Sequence, residues 1–262
     1  MNSVFSIFVL YTNLYTRTMS KLSNAPLVEV IFEIRWNSTN KQEVDKFQLL
    51  IGAMYAALKD TYEKPENFIT DANIPIQAFL NRPIYRARKK DGTPILYQLG
   101  PGILSINYVG PNYDWSSFYS EISMIVNQVK ELYSFSPSKD IQISLKYLDF
   151  FDFQFGSENI FTFLKDKFHL NIESEFIKDP MGVKLEIAQK EENDSIFNIK
   201  INTGTLNDRR QGFVVESKLQ SVKKTETLFP KFDDILTEFH SKLSSFFKNM
   251  TKGELYESFN KQ

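Results

Sequence analysis

Residues 84–109 read IYRARKKDGTPILYQLGPGILSINYV, and the fold class follows from this stretch. Asp91-Gly92 separates two runs, Ile84–Lys90 and Pro94–Leu99, and predicts a tight hairpin whose two turn residues both take positive φ. Gly100-Pro101-Gly102 makes a second turn, and Ile103–Val109 is a third strand. Strands joined by turns this short pair antiparallel.

The reading extends outward in both directions. Ahead of the meander, Val28–Trp36 alternates: Val28, Val30, Phe32, Ile34 and Trp36 fall on one face, Glu29, Glu33 and Arg35 on the other, as in a half-buried strand. Asn40–Glu63 then carries Val44, Phe47, Leu50, Ile51, Met54, Tyr55 and Leu58 at helical spacing. Behind the meander, Gly110-Pro111 breaks the chain, and Trp115–Tyr133 is a second amphipathic helix. The pattern then restarts with a long strand, Asp140–Phe155, a short helix, Glu158–Phe168, and three strands, Val183–Gln189, Ile196–Asn202 and Gly212–Val222. It closes on a long helix, Phe229–Asn249.

Both halves, 22–137 and 138–259, therefore read β-α-β-β-β-α, an order that suggests internal duplication although residue identity between the halves is negligible. The expected fold is α+β: a mainly antiparallel, curved sheet with helices on one face. Its second face is either open, a cradle for a ligand or partner, or packed by the second half.

Composition narrows the function classes. Of 262 residues, 42% are apolar and 24% charged, as in an ordinary globular protein, and 31 basic against 32 acidic residues provide no global field for nucleic acid. The chain has no cysteine, which excludes disulfides, thiol nucleophiles and cysteine zinc sites and suits a cytoplasmic setting. Two histidines, His169 and His240, make a histidine-rich metal site improbable, so neither metal nor cofactor is expected. The 24 phenylalanines read as core. Residues 1–18, MNSVFSIFVLYTNLYTRT, have an apolar run shorter than the roughly 20 residues of a spanning helix and lack the flanks of a secretory signal. Met19 is the expected start, with residues 1–18 a start-site artefact or loose tail.

No G-x-S-x-G, Walker or H-E-x-x-H motif is present, and LGPGIL lies between strands, where it makes no phosphate loop. Glu29 and Glu33 share a strand face roughly 13 Å apart, too far for a catalytic carboxylate dyad by themselves. Lys146 and Asp149 point to opposite faces of a later strand, as do Asp149 and Asp152. Glu216 interrupts the apolar run FVVESKL and needs a partner such as Lys146 or Arg35. His240 reads as a structural histidine at the helix–sheet boundary. Arg82, Arg86, Arg88, Lys89 and Lys90 gather on the hairpin around Tyr85, with Arg86, Arg88 and Lys90 alternating onto one face; such a stripe can track a phosphate backbone or simply protect an edge.

Four segments, NAPLVEVIFEIRW, YQLGPGILSINYVGPNYDWSSF, ISLKYLDFFDF and FHSKLSSFFKNMTKGELYESF, resemble a sporadically distributed bacterial and archaeal family with an N-terminal Ala-Pro-hydrophobic-Val-Glu motif. The resemblance spans Leu22–Phe259 and brings no activity with it. It implies site positions at Ala25, Pro26, Glu29 and Lys146; where that family shows Arg and Asn in its middle motif, this chain has Lys146 and Asp149. Patchy distribution implies horizontal transfer, which often accompanies defence genes. The expected function is thus a non-enzymatic binding module for a protein partner or small ligand, an accessory of a bacterial antiviral defence operon, with Glu33, Arg35 and Glu216 completing the site. Nucleic acid binding through the basic hairpin and hydrolysis in a cleft of Glu29, Glu33, Arg35 and Glu216 are the alternatives.

Overall fold

The computed structural model describes residues 22–38, 41–68, 76–110, 112–207 and 209–260; the segment read as a tail, residues 1–18, lies outside them. The first half runs β1 (Leu27–Trp36), α1 (Lys41–Leu58), β2 (Glu66–Asn67), a 3₁₀ turn (Ile76–Phe79), β3 (Tyr85–Arg88), β4 (Ile95–Gly100), β5 (Ile103–Val109) and α2 (Trp115–Tyr133). The second runs β6 (Asp140–Asp152), α3 (Ile160–Phe168), β7 (Lys184–Lys190), β8 (Ser195–Leu206), β9 (Arg210–Lys224), α4 (Thr225–Leu228), α5 (Phe232–Thr251) and α6 (Glu254–Ser258).

All nine strands join one curved, open sheet in the order β2-β3-β4-β5-β1-β6-β9-β8-β7, and every pairing is antiparallel. β1 and β6 lie side by side at the middle. Each pairs with the last strand of the meander that follows it, β5 and β9 respectively, so the sheet grows outward in the same manner on both sides of the β1–β6 seam.

Alternation decides which face the helices take. Val30, Phe32, Ile34 and Trp36 of β1 are buried, together with Tyr97, Leu99, Leu104, Ile106, Ile141, Ile143, Leu145 and Leu219 from its neighbours. Against them pack Phe47, Leu50 and Met54 of α1, Phe118, Ile122 and Val129 of α2, and Leu236, Phe239 and Leu243 of α5. Each such side chain contributes roughly 1.5–3 kcal/mol by leaving water. Because this cluster draws on both halves, they share one core. A smaller cluster, with Phe151, Phe163, Phe168 and Phe213, seats α3 near the far end of β6. Gly212 belongs there by necessity: a Cβ would sit 2.0 Å from the Phe151 carbonyl oxygen.

Local chemistry sets the ends of α2. The Asp114 carboxylate accepts from the Ser117 N–H at 2.9 Å, satisfying an orphan donor of the first turn. Ser134 closes the helix in the left-handed region at φ 53°.

Three expectations need correction. The Asp91-Gly92 turn is wider than a two-residue hairpin: only Gly92 has positive φ, Lys89 N–H reaches the Ile95 carbonyl, and Asp91 Oδ1 accepts from Thr93 N–H, an Asx turn. The first helix ends at Leu58, not Glu63, because Tyr62 is drawn into the core and bridges to Lys89 at the sheet edge. Lys90 does not continue the row of Arg86 and Arg88; β3 has ended, and its ammonium donates to the Lys59 carbonyl.

Candidate functional site

The strand register places Glu29, Glu33, Arg35, Lys146 and Glu216 together on the face opposite the helices. Glu33 lies between Ser105 on β5 and Ser144 on β6, and Lys146 lies between Ile31 and Lys218. Glu29, Leu148 and Glu216 form the next row. The charges on this face hold one another. Arg35 grips Glu33 with two bonds, at 2.5 and 3.0 Å, and donates a third to the Asn81 carbonyl. Asn107 donates to Glu29 at 2.6 Å. Glu216 has Lys146 at 3.7 Å and Lys200 at 4.0 Å. Lys218 stands directly opposite Lys146, an unfavourable like-charge pair. Burial pushes the Lys218 ammonium below the usual lysine range and Lys146 adds to the effect, against the pull of Glu33 and Glu216.

The basic hairpin is not assembled into one surface. Arg86 pairs with Glu66 at 2.9 Å and lies over the Phe68 ring, while Lys89 turns inward to Glu121 on α2. With Lys90 bound to the Lys59 carbonyl, the exposed remainder is Arg82 and Arg88.

A different site opens on the helical side, in a pocket of about 350 Å³ where the ends of β1 and β6 meet the start of α2 and the middle of α5. Four segments distant in sequence converge here. The first supplies Ala25 and Leu27, the second Tyr113 and Trp115, the third Tyr147 and Asp149, the fourth His240 and Leu243. The Ala-Pro motif is an anchor: the Pro26 carbonyl accepts from Phe150 N–H at 2.8 Å, and Asn24 N–H donates to the Phe259 carbonyl at 2.9 Å. Ala25 and Pro26 thus serve the helical side, away from the other residues singled out with them.

Polar groups line one wall. The Tyr147 hydroxyl bonds His240 Nδ1 at 2.7 Å and the Tyr113 hydroxyl at 2.9 Å. Trp115 stacks on His240, with centroids 3.9 Å apart and planes within 5°. Burial lowers the His240 imidazole to about 4, with a smaller push from Lys248, so the ring is neutral at ordinary pH. Burial also raises the Tyr113 and Tyr147 hydroxyls above their usual range. Asp149 is 5% exposed, and desolvation lifts its carboxyl to about 7. Among the described residues no hydrogen-bond donor or cation meets it. No group of three metal-ligating side chains occurs among the described residues, and no helix there is long and apolar enough to cross a membrane.

Asp149 and His240 each look ordinary in sequence, one an acid without a neighbour of matching function, the other a lone histidine on an amphipathic helix. Their meeting is a tertiary fact. Comparison of the chain with family models, with curated proteins and with solved structures found no match in any of the three.

Proposed function

We propose that this chain is a non-enzymatic binding module whose small ligand sits in the pocket bounded by Trp115, Tyr147, Asp149 and His240. The observation that carries this reading is the convergence of four segments, distant in sequence, on one cavity of about 350 Å³. Its walls combine apolar and aromatic side chains with a few polar groups, the usual make-up of a small-molecule site. The opposite face has a separate part in the proposal. Glu29, Glu33 and Glu216 each hold a neighbouring donor, which suits contact with a partner rather than bond cleavage. An accessory role in a defence operon, in which ligand occupancy is passed to a partner on the polar face, is the setting we propose. The sheet grows outward from β1 and β6 in the same manner on both sides, and the pocket straddles that seam, drawing Leu27, Tyr113 and Trp115 from one half and Tyr147, Asp149 and His240 from the other.

The test is a fragment screen by ligand-observed NMR on the full chain and on Leu243→Trp, which fills the pocket from α5. Hits that bind the native chain and are lost in the variant, with an unchanged far-ultraviolet spectrum, are expected. No hits, or hits indifferent to Leu243→Trp, would refute the proposal.

A further inference from the structure

We infer that the ligand of this pocket is a cation, an amine or amidine on an aromatic or aliphatic body, and that Asp149 is its counter-ion. The inference rests on the pocket being a ligand site and adds the ligand's chemical class. The pocket wall contains two aspartates, Asp114 and Asp149, and neither lysine nor arginine. Asp114 is occupied at the start of α2, where it accepts from the Ser117 N–H and from the hydroxyls of Ser116 and Ser117. Asp149 has no such donor among the described residues, although it is nearly buried. A largely desolvated carboxylate without a partner is costly, and groups perturbed in this way cluster at functional sites.

The surroundings select the sign of that missing partner. An anionic ligand would meet Asp149 in a site with no cation to receive it. A cationic one would meet a carboxylate at short range in a low dielectric, where Coulomb attraction is strongest. The wall also includes the aromatic side chains Tyr113, Trp115 and Phe247, a residue type that attracts cations through the ring quadrupole. His240 adds no competing positive charge, because burial among Tyr147 and Trp115 holds it neutral. The titratable groups that share the pocket wall with Asp149 are Tyr147 on its own strand, Tyr113 and Asp114 ahead of α2, and His240 on α5; β9 offers Ser217, and Leu27 of β1 is its register partner. Lys248 acts on His240 from further along α5 and is not among the influences on Asp149.

Three matched probes decide the matter by titration calorimetry on the full chain at about pH 8, where Asp149 is ionised. They are 2-phenylethylamine, 2-phenylethanol and phenylacetate. The amine is expected to bind at least about tenfold tighter than the alcohol, with phenylacetate weakest. Asp149→Asn should reduce the amine to the alcohol's affinity and leave the alcohol unchanged. The native chain supplies a second reading that needs no variant: below pH ~7 the amine should weaken by about tenfold per unit as the carboxyl takes its proton, while the alcohol stays level. Alcohol or phenylacetate binding as tightly as the amine, or an amine affinity flat with pH, overturns the inference and leaves the pocket as a ligand site. Amine binding that survives Leu243→Trp overturns both.

Discussion

Lys146 and Asp149 lie three residues apart on β6, on opposite faces of one sheet, and their surroundings have little in common. Lys146 belongs to a mesh of charges on the polar face, with Glu216 at 3.7 Å and a second lysine, Lys218, directly opposite. Water reaches Lys146 and Glu216 there and damps their attraction, while the half-buried Lys218 is held below the usual lysine range by desolvation with Lys146 adding to it. Asp149 is on the helical face, where desolvation raises its proton affinity by about three orders of magnitude, from 3.8 to about 7. Exposure, more than the number of charges, decides which side of this sheet responds to pH and to a ligand.

The contrast can be broken from either side. The largest expected effect is that of Asp149→Asn on the pH dependence of stability. In the folded chain the carboxyl keeps its proton to about 7, while the unfolded chain releases it near the ordinary carboxylate value. Stability therefore falls as pH rises through that window, and the penalty is complete above it, on the order of 4 kcal/mol. Urea unfolding from pH 4 to 8 should show this fall in the native chain and lose it in the variant. His240→Gln should act with the opposite sign and slightly less force. The ring stays neutral down to about 4, so its contribution is present above the ordinary histidine value and lost as pH falls toward 4. The variant should remove an acid-side loss of about 3 kcal/mol, seen in the same titration.

Tyr147→Phe should cost about 1–3 kcal/mol at neutral pH, because it leaves the Tyr113 hydroxyl and His240 Nδ1 without their shared partner. Unfolding at constant denaturant dependence measures it. Glu216→Gln, on the polar face, should cost less than about 1 kcal/mol and nothing in 1 M salt, since both its lysines are partly solvated. A change as large as that at Tyr147 would show that the polar face is not screened and would remove the contrast.

Much of the fold is legible in the chain where punctuation is strong. β5 and α2 occupy Ile103–Val109 and Trp115–Tyr133, the bounds read from Gly100-Pro101-Gly102 and Gly110-Pro111 on one side and the apolar spacing of the helix on the other. Alternation assigned the faces of β1 from Val30 to Trp36, and of the two partners expected for Glu216, Lys146 lies at 3.7 Å while Arg35 is bound to Glu33 instead. What escaped was long-range. Tyr62 leaves the helical pattern because the sheet edge takes it, and α4 and α6 are too short to mark themselves by period. The pocket escaped for the same reason. Tyr147 and His240 are 93 residues apart in the chain, and no local spacing announces a hydrogen bond between them.

The placement of β1 has a consequence for how the chain is made. It is translated before both of its neighbours, since Glu33 must wait for Ser105 on one side and Ser144 on the other. Until β6 has left the ribosome, β1 has an unpaired edge, and Phe32 waits longer still for Phe232 of α5. Pairings of such long sequence separation close slowly and leave adhesive edges while they wait. Nascent chains arrested ahead of residue 140 should therefore be the most dependent on holding chaperones, and release from them should begin with the emergence of β6 and finish only when β9 and α5 have followed.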